Sequence, residues 1–249
     1  MIAEAPSLLV ISDFDGTLAE FSPDPTHVPV NQRAMAALKN LSVLRDTTVA
    51  ILSGRDRRGL ASVSGLDPRG DIILAGSHGA ESELLATTMS PERATALDKV
   101  TERFEELIAD LPGAFVEYKP FHRVLHLMAA DQHKSADIAA LAQAVDIPGV
   151  TIAPGKNIVE AGVLDINKGS WIRIATSVYQ PDAVIFLGDD TTDEDGFDVL
   201  RPCDLSVKVG EGFTHARKRV ADCAAVADLL EDLYLQRQEF LSSSGEATV

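Results

Sequence analysis

The chain has 249 residues, 45% of them hydrophobic and 24% charged, and a formal net charge of −16 at pH 7. So acidic a chain excludes the electrostatic mode of nucleic-acid binding, which runs on Lys and Arg neutralising phosphates, yet it leaves room for a local positive pocket. No apolar run reaches the roughly 20 residues of a membrane span, and Cys203 and Cys223 supply neither a disulfide framework nor a metal-ligand spacing.

Residues 1–6 carry no basic region ahead of their short apolar stretch, so no signal peptide is expected and the protein is read as cytoplasmic, its thiols reduced. Apolar runs follow at residues 8–11, 48–52, 72–75 and 183–187. Each stops at a polar residue or a glycine turn: Ser12-Asp13, Ser53-Gly54-Arg55, Gly76-Ser77-His78-Gly79 and Gly188-Asp189-Asp190. Runs of this kind suit strands buried on both faces of a parallel sheet. Behind Asn31, a good N-cap, Ala34, Leu38, Leu41 and Val43 or Leu44 recur at helical spacing.

The middle of the chain has another rhythm. Ser90-Pro91 opens a helix whose stripe is Leu97, Val100, Phe104, Leu107, Ile108 and Leu111. Two extended runs, 115–119 and 123–128, a second helix at 135–145, and extended runs at 150–152 and 157–163 come next. Helices between paired strands predict a small α/β insert with an antiparallel sheet, placed at residues 82–165. The remainder, 1–81 and 166–249, reads as the core. It includes a helix at 171–178 behind Lys168-Gly169 and another at 224–235, with Val226, Leu229, Leu230 and Leu233 on one side. The tail 242–245 reads as frayed. The expected fold is α/β: a doubly wound, Rossmann-like parallel sheet with an inserted α/β domain.

Chemistry-bearing residues gather where strands end, which is where ligands bind in open α/β sheets. Asp13-Phe14-Asp15-Gly16-Thr17-Leu18 places two carboxylates behind the first strand. One can attack phosphorus or hold a cation while the other moves a proton, and Thr17 can donate to a phosphate oxygen. The same residues also suit an Asp-Gly turn with a capping aspartate. Gly188-Asp189-Asp190-Thr191-Thr192-Asp193-Glu194-Asp195 crowds five acids into seven positions, which repel unless a cation or solvent relieves them. Mg²⁺, a hard cation taking oxygen ligands, fits such a pair of acidic strand ends. Ser53-Gly54-Arg55 offers a hydroxyl and backbone N–H groups to an anion, or is a plain turn. Lys168 at a helix start opposes the helix dipole unless it serves an anion.

Asp-x-Asp, then Ser, then Lys, then Asp-Asp, in that order and at strand ends, resemble the four motifs of the haloacid dehalogenase-like phosphohydrolases. A receiver domain places its paired acids first, a dehalogenase lacks the second aspartate, and a P-type ATPase needs membrane helices. The resemblance implies that Asp13 is a nucleophile forming an aspartyl-phosphate and that Asp15 is the acid and base. It implies that Ser53 and Lys168 hold the phosphoryl group. Thr17, Gly54 and Arg55 are read as further substrate contacts, and His78 either touches substrate or packs beneath the cap. Mg²⁺ is expected on Asp13, the Asp15 carbonyl and Asp189, with Asp190 and Asp193 in support.

The first and last motifs, with Gly76-Ser77-His78-Gly79-Ala80-Glu81, Val116-Glu117-Tyr118-Lys119 and Ser206-Val207-Lys208-Val209-Gly210, look like the trehalose-6-phosphate phosphatase family over nearly the whole chain. That family implies a sugar phosphate as partner, neither nucleic acid nor membrane, and cap contacts matching Glu117, Lys119, Lys156 and Glu160. Two departures stand out. Met128 and Gly162 occupy positions where the family usually has arginine, and Arg123 is the candidate to replace one of them. Trehalose 6-phosphate is the first expectation. A related glycosyl phosphate, such as glucosylglycerol phosphate or a pseudo-disaccharide phosphate, is the second, and a non-catalytic sugar-phosphate-binding partner of a synthase is the third. The sequence says nothing of oligomeric state.

Overall fold

The structure, a computed structural model, describes residues 1–85, 89–155 and 157–245. Along the chain the first elements are β1 (Leu8–Ser12), α1 (Gln32–Ser42), β2 (Thr47–Leu52), α2 (Arg57–Ser64) and β3 (Ile72–Ala75). Then come α3 (Pro91–Ile108), β4 (Phe115–Tyr118), β5 (His122–His126), α4 (Gln132–Gln143), β6 (Thr151–Gly155) and β7 (Ile158–Gly162). The last are α5 (Lys168–Tyr179), β8 (Ala183–Gly188), α6 (Thr191–Asp198), β9 (Leu205–Val209), β10 (Lys218–Val220) and α7 (Cys223–Gly245). They form two compact units, Met1–Ala86 with Ile166–Val249, and Thr87–Asp165.

In the first unit six strands run parallel in the order β10-β9-β8-β1-β2-β3. All five residues of β1 are buried, because its side chains alternate between two helical layers. Leu8 and Val10 join a cluster with Leu38 of α1, Leu60 of α2 and Leu230 of α7. Leu9 and Ile11 join Trp171 and Ile172 of α5 and Phe197 of α6. The sheet is thus doubly wound, as its apolar runs predict. β1 pairs with β2 on one side and β8 on the other, so the chain reverses its winding direction there. The crevice at such a reversal lies at the strands' carboxyl ends, where Asp13, Ser53 and Asp189 stand.

The second unit holds an antiparallel sheet in the order β4-β5-β7-β6. Its helix-facing side is apolar: Leu125, Val159 and Ala161 pack with Val100 and Phe104 of α3 and Ala142 of α4. By strand alternation Glu117, His122, Val124, His126, Glu160 and Gly162 share the opposite face.

Several boundaries differ from the expectations. The first unit extends past residue 81, since Leu84 and Leu85 pack against the Trp171 cluster. α4 begins before residue 135 because Asp131 caps it, accepting from His133 and Lys134 N–H. Val43 is exposed while Leu44 packs against the core. α7 extends to Gly245, across the segment read as frayed, with Ser242 and Ser243 hydroxyls donating back to Gln238 and Glu239 carbonyls.

α7 is also fastened by Arg237, which is fully buried without any carboxylate partner among the described residues. Its guanidinium donates to the carbonyls of Ala3, Ala5, Pro6 and Asp46 and to Thr47 Oγ1, tying the last helix to the N-terminal segment and the start of β2. Replacing it strands buried acceptors. Arg237→Met should cost about 2–4 kcal/mol in urea unfolding, and a loss below about 1 kcal/mol would contradict this role.

Candidate active site

The site is assembled around a buried ammonium. Lys168, at the first turn of α5, is 2% exposed, and Asp13, just past β1, is 4% exposed. Lys168 Nζ lies 2.8 Å from Asp13 Oδ1 and 2.7 Å from Asp193 Oδ1. Asn167 caps α5 by accepting from Ser170 N–H, which fixes the turn that delivers the lysine. Asp13 N–H donates to the Leu187 carbonyl at 2.8 Å, locking the end of β1 to β8. Asp193, fully buried in α6, uses its second oxygen to accept from the N–H groups of Asp189 at 3.0 Å and Asp190 at 2.9 Å. One carboxylate therefore holds both the lysine and the β8–α6 turn.

Asp189 completes the cluster: oxygens of Asp13, Asp189 and Asp193 all lie within 4.8 Å of one another. Gly16, at φ +78°, makes room for it, since a Cβ there would stand 2.2 Å from Asp189 Oδ2. Burial first, then the charges of Asp193 and Asp190, push the Asp189 carboxyl up to about 6, against the opposing pull of Lys168 and Lys208. Asp13 is likewise raised well above the usual range, by burial above all, with Lys168 opposing. Burial alone would lower Lys168, but Asp13 and Asp193 outweigh it and hold the ammonium above its ordinary range. Asp189 Oδ1 is buried with no hydrogen-bond partner among the described residues. An all-oxygen donor set, short of positive charge and with an orphaned buried oxygen, fits a hard divalent cation.

Not every predicted residue joins this cluster. Asp190 is exposed and accepts from Thr191 N–H, capping α6 rather than facing the other acids. Thr17 is fully buried, and its hydroxyl has no partner among the described residues. Asp15 is taken by Arg55: Nε and one terminal nitrogen each donate to a different carboxylate oxygen at 2.7 Å. This bidentate fork orients the carboxylate and commits the guanidinium.

The Ser53-Gly54-Arg55 turn is braced by the loop after β3. Ser53 Oγ accepts from Arg55 N–H at 3.1 Å, His78 N–H donates to the Ser53 carbonyl at 2.9 Å, and Ser77 N–H to the Arg55 carbonyl at 2.7 Å. Ser77 and His78 hold left-handed φ values of 49° and 55°, a strained pair kept by these bonds and by the Ser77–Glu81 side-chain bond. A Cβ on Gly54 would stand 2.9 Å from the His78 ring, so the imidazole lies directly against this turn.

In the second unit, Glu117 and Glu160 flank Val124 on the face of the sheet opposite its helices. His126 Nε2 lies 2.8 Å from Glu117 Oε2 and stacks on Phe115 with ring centroids 4.5 Å apart. The imidazole bond leads in holding the Glu117 carboxyl below its usual value. Lys119 begins the β4–β5 turn, its N–H donating to the His122 carbonyl. Lys156 lies outside the described residues. Met128 is exposed beyond β5, and at Gly162 a Cβ would meet the ring of His122, its cross-strand partner. Arg123 does not replace an arginine on that face. Strand alternation turns it toward the helices, where it donates to Thr101 Oγ1 and the carbonyls of Lys119 and His122 and stacks on Tyr118.

One residue at the site was missed from sequence. Lys208 interrupts apolar β9, is 5% exposed, and donates to the main-chain carbonyl of Asp189. A lysine inside a buried strand was the available signal.

Comparison with known proteins places these features in a family. The trehalose-phosphatase family model matches residues 11–226. The chain is 34% identical over 226 residues to the trehalose-6-phosphate phosphatase of Escherichia coli strain K12, covering 88% of this chain and 84% of that protein. It is 33% identical over 216 residues to the trehalose-phosphate phosphatase of Mycobacterium marinum, covering 82% of this chain but 54% of that protein, so it spans about half of that relative's length. The fold is shared with the C-terminal domain of Candida albicans trehalose-6-phosphate phosphatase at a TM-score of 0.75 and 22% identity, with 93% of each chain covered.

The raised Asp189 carboxyl has a consequence for pH. Its folded value, about 6, exceeds its ordinary 3.8, so its contribution to metal-free stability is full below the lower value and lost as pH rises through the higher. A divalent cation competes with that proton and those of the neighbouring acids. Thermal melts should show stabilisation by the cation growing between about pH 4 and about pH 7, and a flat or shrinking effect would contradict this.

Proposed function

Because the chain belongs to the trehalose-phosphatase family of haloacid dehalogenase-like hydrolases, we propose that it is a Mg²⁺-dependent phosphatase that converts trehalose 6-phosphate to trehalose and phosphate. The observation that carries this reading is Asp13 at the carboxyl edge of the parallel sheet, buried against Lys168 beside Asp189 and Asp193.

Asp13 Oδ attacks phosphorus, and the bond to the sugar 6-oxygen breaks as an aspartyl-phosphate forms. Asp15 gives its proton to the departing oxygen, then takes one from the water that attacks phosphorus and releases phosphate from Asp13. For either transfer its carboxyl turns out of the Arg55 fork. Lys168 balances the charge that builds on the phosphoryl oxygens, and Ser53 with the Gly54 N–H donates to them. Asp13, the Asp15 carbonyl and Asp189 would hold Mg²⁺, with Asp193 orienting the turn that carries Asp189. The cation supplies further neutralisation of the phosphoryl charge. In the second unit Glu117, oriented by His126, and Glu160 accept hydroxyls of the sugar, with Lys119 and Lys156 as donors.

A second reading, a related glycosyl phosphate as substrate, draws support from the exposure of Met128 and from the His122 ring filling the space above Gly162. Phosphate release from trehalose 6-phosphate, glucose 6-phosphate, glucosylglycerol phosphate and an aryl phosphate separates the two. The first reading expects selective turnover of trehalose 6-phosphate, abolished by chelation. Turnover of the aryl ester with trehalose 6-phosphate ignored would leave the chemistry standing and remove the substrate. Asp13→Asn should lower the rate by about 10⁴-fold or more and Lys168→Met by about 10²–10³-fold; near-wild-type rates in either would overturn the proposed roles.

A further inference from the structure

We propose that Lys208 is a positioning residue for the acidic centre, fixing Asp189 for a divalent cation by tying down its main-chain carbonyl. This rests on reading the centre as a Mg²⁺ site. Lys208 lies on β9 opposite Gly188 of β8, one residue before Asp189. Its neighbours along the strand, Ser206, Val207 and Val209, are buried as it is. An apolar residue would satisfy the strand at less cost, because a buried ammonium has three donors to place and a charge to compensate. Yet Lys208 makes no ion pair among the described residues, and its hydrogen bond goes to the neutral carbonyl of Asp189. Its charge is compensated at longer range by the acids around it, as the downward pull it exerts on Asp189 reflects.

The geometry around Asp189 shows what the bond achieves. The N–H of this residue is held by Asp193 Oδ2 at 3.0 Å, its carbonyl by Lys208, and its carboxylate faces Gly16. The peptide groups on both sides are pinned, leaving the side chain alone to adjust. Without Lys208 the main chain of Asp189 keeps, among the described residues, only its N–H bond to Asp193, so a cation has to order the carboxylate as it binds. The opposite effect is also physical: removing a positive charge beside a cation site would tighten binding by reducing repulsion. The two differ in sign.

Calorimetric Mg²⁺ titration of the whole chain separates them, with Mn²⁺ uptake followed by electron paramagnetic resonance as a second readout. Lys208→Met should weaken Mg²⁺ binding by roughly 10- to 100-fold, and Lys208→Arg, which keeps a charged donor, should recover to within about threefold of wild type. Affinity of Lys208→Met equal to or tighter than wild type overturns the inference. If Lys208→Met does not fold, Lys208→Gln is read by the same criterion. Wild-type protein that takes up no Mg²⁺ overturns the reading of the centre and this inference with it, whereas wild-type uptake matched by Lys208→Met overturns this inference alone.

Discussion

Carboxylate oxygens from Asp13, Asp189 and Asp193 within 4.8 Å of one another repel, and among the described residues the cation bonded to them is the buried ammonium of Lys168. Holding such a group together requires that each acid be placed by backbone it cannot leave. Asp13 follows a strand buried on both faces and locked to β8 through the Leu187 carbonyl. Asp189 follows directly on that neighbouring strand, and Asp193 returns from the first turn of α6 to hold the backbone of Asp189 and Asp190. The parallel pairing of β1 and β8 is therefore a condition for the site. The residual negative charge makes the centre receptive to a cation and keeps the positive Lys168 beside Asp13.

The same economy shapes the loops around it. Gly16 is demanded twice, by its left-handed φ and by the Asp189 carboxylate that fills the place of a side chain. The strained Ser77-His78 pair is held by bonds to the Ser53-Gly54-Arg55 turn, so the loop after β3 sets the shape of the turn after β2. Strain that persists because its surroundings over-determine it is what a preorganised site requires.

Much of this was legible in the sequence for a definite physical reason. Buried parallel strands are continuous apolar runs, so residues 8–11, 48–52, 72–75 and 183–187 declared both the strands and the edge where Asp13, Ser53 and Asp189 would meet. The roles of individual acids were less readable. Asp190 and Asp193 look equivalent in the acidic run, yet helix geometry turns one outward as a cap and buries the other against Lys168. Arg55 reads as an anion-binding residue, and the pairing with Asp15 that the fold makes across 40 residues is not visible in the sequence. Arg123 is out of phase with His122, Val124 and His126 along the strand, so it meets Thr101 rather than the face that carries Glu117 and Glu160. Lys208 was signalled only by its place inside a buried strand, and Arg237 not at all, since apart from Thr47 Oγ1 their partners are backbone carbonyls, which every sequence contains.

The account stands or falls on Asp13 as the group that carries phosphate. During steady turnover of trehalose 6-phosphate with Mg²⁺, borohydride quenching reduces an aspartyl-phosphate to homoserine, which peptide mass mapping locates. The account predicts homoserine at position 13 and its absence from protein quenched without substrate. Continuing turnover with no reduced residue at Asp13, or with the label on another carboxylate, would contradict it.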